Sequence, residues 1–245
     1  MFCRECGKQR YWRRTGKTAQ NGLQILKCTN CENEQEQERP QGLKFPPSVL
    51  YFDIETALLK TTLFAPGQQW VRWEDVEGEY HVLCWAAVWL QGNGKPKTVI
   101  SDCISPTKVK RQDDSQVLRK LHTLMGQADY LVGHNMRPFD WKLVSGRFIT
   151  LGWDAPPDAK IVDTLSLSRR RFRVKSHALD SWEKRLGYAG KHEMHKEDWI
   201  RCLNGDTKAL DKMHRYCRDD VRKGAKVTRD FQRYIEQATN KLLFS

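Results

Sequence analysis

No stretch of this sequence approaches the roughly 18 to 20 consecutive apolar residues that a bilayer-spanning helix requires. The opening residues, Met1-Phe2-Cys3-Arg4-Glu5-Cys6, are polar where a secretory leader is apolar. Both absences argue against a membrane or secreted protein and set a cytoplasmic location as the expectation. Acids are scarce as well: 30 Asp and Glu face 42 Lys and Arg, a formal charge of +12 over 245 residues. An excess of that size suits a polyanionic partner. No internal repeat is visible. What is present, 39% hydrophobic residues with nine Trp and nine Phe, is enough for one full domain and an appendage and excludes a disordered chain.

Eight cysteines would suit a disulfide scaffold in a short secreted chain, but in a reducing compartment paired thiols more often hold metal. Cys3-x2-Cys6 and Cys28-x2-Cys31 are two identical pairs separated by 21 residues, a spacing that brings four thiolates to one tetrahedral Zn²⁺. Residues 1–31 therefore read as a zinc ribbon whose fold depends on the ion. Lys8, Arg10, Tyr11, Trp12, Arg13, Arg14 and Lys17 lie between the pairs and suit either phosphates and stacked bases or a solvated face. Residues 32–47 begin with alternating glutamates and end in Pro46-Pro47, which reads as a linker. The main domain then spans 48–245. Cys84, Cys103, Cys202 and Cys217 are unpaired in sequence and are expected inside the fold as small apolar residues. His192, His195 and Cys202 could in principle form a second metal site, but Lys191 to Asp198 reads as a charged loop.

Strands are expected at Val49–Phe52, His81–Leu90, Lys97–Asp102, Tyr130–Val132 and Ile161–Val162. Helices are expected at Asp113–Met125, Phe139–Leu151, Ala178–Leu186, Lys208–Arg218 and Val221–Gln237. Early strands, an alternating middle and late helices predict an α/β fold with a mixed central sheet.

Three short motifs carry the chemistry. In Phe52-Asp53-Ile54-Glu55-Thr56 a spacing of two on a strand puts Asp53 and Glu55 on one face. Gly133-His134-Asn135-Met136-Arg137-Pro138-Phe139-Asp140 runs from a strand end into a helix and supplies a third acid. In Tyr216-Cys217-Arg218-Asp219-Asp220, Tyr216 and Asp220 stack on one helical face. Asp-x-Glu-Thr, Asn-x3-Phe-Asp and Tyr-x3-Asp in this order resemble the tyrosine subtype of the DEDD 3′–5′ exonuclease superfamily, over roughly residues 49–240. The second motif is most similar to the proofreading domain of family B DNA polymerases.

The resemblance implies a ribonuclease H-like mixed sheet flanked by helices, and a 3′–5′ exonuclease that acts without a polymerase domain of its own. Two Mg²⁺ or Mn²⁺ ions are implied, with Asp53 bridging both, Glu55 and Asp220 helping to hold the nucleophile-side ion, and Asp140 acting mainly through the other. Tyr216 would orient the attacking water. Thr56 and Leu59 would pack the terminal nucleotide, and Asn135 and Phe139 would border the single strand, although Phe139 also suits a core. The polymerase-like second motif favours DNA, so single-stranded DNA and a DNA polymerase or other replication protein are the implied partners, and the compact arrangement is similar to exonucleases of bacteriophages and bacteria.

His214-x4-Asp219 has the spacing of the histidine subtype; Tyr216 with Asp220 is preferred because apolar Val221 follows. No motif reads the 2′-hydroxyl, so an exoribonuclease stays open, as does an inactive zinc-ribbon adaptor. Arg169, Arg170, Arg171, Arg173 and Lys175 form a run of five cations that reads equally as a phosphate track or a solvated face. Trp70 and Trp73 read as packed loop anchors ahead of a stacking platform.

Overall fold

The structure is a computed structural model and describes residues 12–18, 24–28, 31, 34–37, 47–63, 67, 70–90, 98–154, 159–188 and 193–239. Its amino-terminal part is a three-stranded antiparallel sheet in the order β1 (Trp12–Thr18), β2 (Gln24–Cys28), β3 (Glu34–Gln37). The segment read as a linker thus contributes a strand, β3, whose alternating Glu and Gln pair against Gln24 to Lys27. Cys3 and Cys6 lie outside the described residues. Cys28 closes β2, and Cys31 is half-buried in the connection to β3.

The main domain is built on β4 (Val49–Thr56), β7 (Val82–Leu90), β8 (Ile100–Cys103), β9 (Tyr130–Gly133) and β10 (Lys160–Asp163), in the order β10-β9-β4-β7-β8. β4, β9 and β10 are parallel; β7 and β8 are antiparallel to their neighbours. β5 (Lys60–Thr61) and β6 (Val76–Glu77) form a small hairpin beyond the end of β4.

Central strands are buried on both faces, so β7 reads Val-Leu-Cys-Trp-Ala-Ala-Val-Trp-Leu without polar alternation. One face receives α2 (Ser115–Met125), where the Trp85 indole N–H donates to the Val117 carbonyl at 2.6 Å. α3 (Asp140–Thr150) is tied in beside it: Arg147 donates to the fully buried Asp114 carboxylate at 2.7 Å, and Asp114 also accepts from the Val82 amide. Short α1 (Pro106–Lys110) precedes α2.

The opposite face receives α7 (Thr207–Asp230), flanked by α5 (Leu179–Arg185) and α6 (Lys196–Leu203). The two late helices expected from the sequence are largely this one 24-residue helix, which ends before α8 (Gln232–Thr239). Asp219 and Asp220 do not break it, because acids on the helix surface cost little against the apolar stripe of Met213, Cys217, Val221 and Ala225. Three helices were not foreseen: the short α1, α4 (Thr164–Arg171) and α6, which starts inside the expected loop at Lys196. The five expected strands are all present; the Gly92-Asn93-Gly94 turn lies outside the described residues.

Candidate active site

Residues 51, 53 and 55 of β4 share the face that meets α7, opposite Val88, Ala86 and Cys84 of β7. Small side chains at positions 84 and 86 leave room for the helix to come close. α7 answers with Tyr216, Asp220 and Gly224, spaced by four and hence in one stripe. A Cβ at Gly224 would sit 1.9 Å from the Tyr51 hydroxyl, so only glycine allows this approach. The Cys217 thiol fastens the contact by donating to the Asp53 carbonyl at 3.7 Å.

Within this seam the side-chain ligand atoms of Asp53, Glu55 and Cys217 lie within 4.8 Å of one another. Sequence reasoning placed Cys217 in the core, where it is, but not beside the acids. Burial first, and the charges of Asp53, Glu55 and Asp220 after it, push its thiol up to about 12, so it stays protonated. The available charged donors are therefore carboxylates, which suit Mg²⁺ or Mn²⁺. Asp140 and Asp220 are not members of that closest group. They are nevertheless close to the same tyrosine: the buried Tyr51 phenol, raised mainly by burial, is raised further by the charges of Asp53, Asp140 and Asp220.

Asp140 opens α3 and is 3% exposed; its carboxylate accepts from the Ile54 amide at 3.2 Å, between Asp53 and Glu55. Burial pushes its acid up to about 7, against the lowering effect of the backbone amides at Asp140 and Ile54 and with a further upward push from Asp163. No cation pairs with this buried carboxylate among the described residues, and a divalent ion would supply the missing positive charge. On this test of donor chemistry and uncompensated charge, the residues fit a metal site.

Tyr216 hydrogen-bonds to Asp220, and its phenol is pushed far up by burial and then by the charges of Asp220, Glu55 and Asp53. Asp219 instead pairs with Arg222. His214 is surrounded by Arg218, Asp102, Asp211 and Arg215, and burial lowers its basicity. The Tyr216 and Asp220 register therefore turns toward the other acids.

The turn before Asp140 is set by a residue the sequence reading did not single out. Asp163 caps α4 by accepting from the Leu165 and Ser166 amides, and also accepts from the amides of Asn135 and Arg137. The Asp-Thr pair ahead of an amphipathic stretch was the available signal for that cap. Asn135, in the left-handed region at φ 67°, is exposed, and Phe139 is 43% exposed, which removes its core reading. Thr56 is buried and Leu59 half-buried at the end of β4. Trp70 and Trp73 are not packed anchors: they are 100% and 77% exposed. His195 caps α6, and His192 lies outside the described residues, so no second metal site is assembled among the described residues around Cys202.

A central strand in a five-stranded mixed sheet, its acids met by one long helix, defines a ribonuclease H-like domain. The chain belongs to the RNase_H superfamily: the RNase_H_2 family model matches residues 75–232, which includes Asp140, Tyr216 and Asp220 and starts beyond Asp53 and Glu55. Among solved structures, it is similar to the family B DNA polymerase of the hyperthermophilic archaeon Pyrobaculum calidifontis, with 20% identity and a TM-score of 0.54 over 90% of this chain and 28% of that one. It is also similar to exonuclease I, with 14% identity and a TM-score of 0.51 over 79% of this chain and 43% of that one. The chain spans less than half the length of either, and the likeness is one of fold. No curated protein matches it in sequence.

Proposed function

We propose that this protein is a metal-dependent 3′–5′ exonuclease that releases nucleoside 5′-monophosphates from single-stranded DNA. The observation that carries this reading is that Asp53 and Glu55 of β4 lie together beside Cys217, while Asp140 of α3 and Asp220 of α7 are near enough for their charges, with that of Asp53, to act on the buried Tyr51 phenol. These four carboxylates would hold two Mg²⁺ or Mn²⁺ ions. When bound, such ions neutralise charge that develops on phosphodiester oxygens and lower the pKa of water. Tyr216, held by Asp220, keeps its proton at neutral pH and so acts by orienting water through its hydroxyl. Thr56 and Leu59 line the place for the terminal nucleotide; Asn135 and Phe139, both exposed, border the strand. The likeness to exonuclease I and to a family B polymerase supports the reading at the level of fold.

Residues 1–31 are assigned as a Zn²⁺ ribbon held by Cys3, Cys6, Cys28 and Cys31, serving to recruit nucleic acid or a replication protein such as a DNA polymerase. No described helix is long and apolar enough to cross a membrane.

The test uses single-stranded DNA and RNA labelled at the 5′ end, incubated with Mg²⁺ or Mn²⁺ and with EDTA. Progressive shortening of DNA from the 3′ end, abolished by EDTA, is the expected result. Shortening of RNA alone would replace this with the exoribonuclease reading; binding without cleavage under every ion would leave an inactive adaptor. Two substitutions examine the register. Tyr216→Phe should slow cleavage about 10- to 100-fold, the worth of one or two oriented hydrogen bonds, without changing stability at neutral pH. Asp219→Ala should cleave at close to the native rate, since the Asp219 carboxylate is engaged by Arg222. An inert Asp219→Ala with an active Asp220→Ala would reverse the assignment.

A further inference from the structure

Arg169, Arg170, Arg171, Arg173 and Lys175 are all exposed, and none has an acidic partner among the described residues. The first three occupy the last turn of α4, where cations complement the helix dipole. That account does not extend to Arg173 and Lys175, which lie past the helix end. The alternate residues turn inward. Phe172 packs edge-on against Trp182 and Tyr234, with ring centroids 5.3 and 4.9 Å away, and lies 5.3 Å from Phe231. The cations are thereby displayed along a fixed edge, and the four arginines line an open cavity of about 480 Å³ with Phe172, Val174 and His177.

This edge is joined to the candidate active site. His134, two residues after the end of β9's apolar run and next to Asn135, donates from Nε2 to the His177 carbonyl at 3.0 Å. Ser168 Oγ on α4 accepts from the Trp182 indole and lies 2.7 Å from His177 Nδ1. Asp163 caps α4 and at the same time holds the Asn135–Arg137 turn. The segment that carries the cations and the strand-bordering turn are therefore linked by hydrogen bonds.

We propose that Arg169, Arg170, Arg171, Arg173 and Lys175 form a phosphate track that grips a single strand upstream of its 3′ end, and so make affinity depend on substrate length. This rests on the nuclease reading for which end of the strand enters the seam, but its binding element can be tested alone. Five unpaired cations in seven residues repel one another, and a line of phosphates is the partner that offsets this by releasing counterions.

The experiment measures the full chain and its Arg169→Gln/Arg171→Gln/Arg173→Gln variant by fluorescence anisotropy, with a long labelled single-stranded oligodeoxynucleotide in EDTA across a salt series. Each single-strand phosphate contact contributes about 0.7 to the slope of log affinity against log salt, so the variant's slope should shrink by about 2. With Mn²⁺ added, the variant should show a raised KM on the long strand. It should also show an unchanged rate on the p-nitrophenyl ester of thymidine 5′-monophosphate, which carries no upstream phosphate. A native slope in a folded variant, or no binding by the native protein, overturns the track. Reduced slope with no hydrolysis of either substrate by the native protein would overturn the nuclease reading and leave the track standing.

Discussion

Asp140→Asn is expected to abolish cleavage and, in the metal-free protein, to raise stability. The first effect follows from electrostatics: removing one of the four carboxylates that would hold the metal ions weakens the hold on the cations that offset charge on the phosphodiester, which should cost on the order of 10²- to 10³-fold or more. The second follows from linkage. The Asp140 acid is pushed from an ordinary 3.8 to about 7 in the folded chain, chiefly by burial. A folded pKa above the unfolded one means the native state favours the protonated form. The stabilising contribution is therefore fully present below about pH 4, falls as pH rises, and is gone above about 7. At pH 8 the native protein bears the whole penalty, on the order of 2 to 4 kcal/mol. Asparagine has no charge to bury and can still accept from the Ile54 amide. Thermal unfolding in EDTA should show Asp140→Asn as the more stable protein at pH 8, with the gap closing toward pH 4. Mg²⁺ should narrow the pH 8 gap by binding the native form alone. A variant less stable than the native chain at pH 8 would mean that another group already compensates the carboxylate. The corresponding Asp53→Asn, at a half-buried strand position, should lose activity without the same gain in stability.

Such a pairing of lost activity and gained stability separates a site built for a ligand from acids kept for solubility. Solvated surface carboxylates have ordinary pKa values, and their replacement moves stability by a few tenths of a kcal/mol. In the proposed site, four acids brought to one seam would be costly together, and a bound cation would turn that cost into a use.

The acids were legible in the sequence because short spacings translate directly into faces. Asp53 and Glu55 share a face through the two-residue strand period, and Tyr216 and Asp220 through the helical one. The five strands were equally legible as apolar runs. What the chain did not disclose locally depends on contacts between distant segments. α4 has a polar, arginine-rich sequence, and it becomes a helix because Asp163 caps it and Phe172 anchors its end in an aromatic cluster drawn from α5, α8 and the Phe231 junction. β3 looked like a charged linker because Glu and Gln have weak strand preference, yet its backbone completes β2. The exposure of Trp70 and Trp73 could not be read from their spacing, because large aromatic residues are usually buried. Cys217 read correctly as a buried thiol, but its proximity to Asp53 and Glu55 depends on how closely α7 approaches β4, which no local pattern encodes.

That approach is the subject of the second large effect. Gly224→Ala should destabilise the protein by about 1 to 3 kcal/mol and slow cleavage by on the order of 10²-fold, although it touches no carboxylate. On helix propensity alone the change is favourable by about 1 kcal/mol. Sterics oppose it: the new methyl group would fall 1.9 Å from the Tyr51 hydroxyl and 2.4 Å from its Cζ. Tyr51 is buried under the helix, so its ring can swing aside only by displacing packed neighbours. α7 must lift instead, and Asp220 and Tyr216 stand about one and two turns before Gly224 on the same stripe. A displacement near 1 Å would part them from Asp53 and Glu55. Removing the colliding oxygen tests the cause: Tyr51→Phe with Gly224→Ala should recover part of both stability and rate, a coupling that independent sites would not show. A Gly224→Ala protein with native stability and rate would show that α7 does not need this glycine to reach the strand.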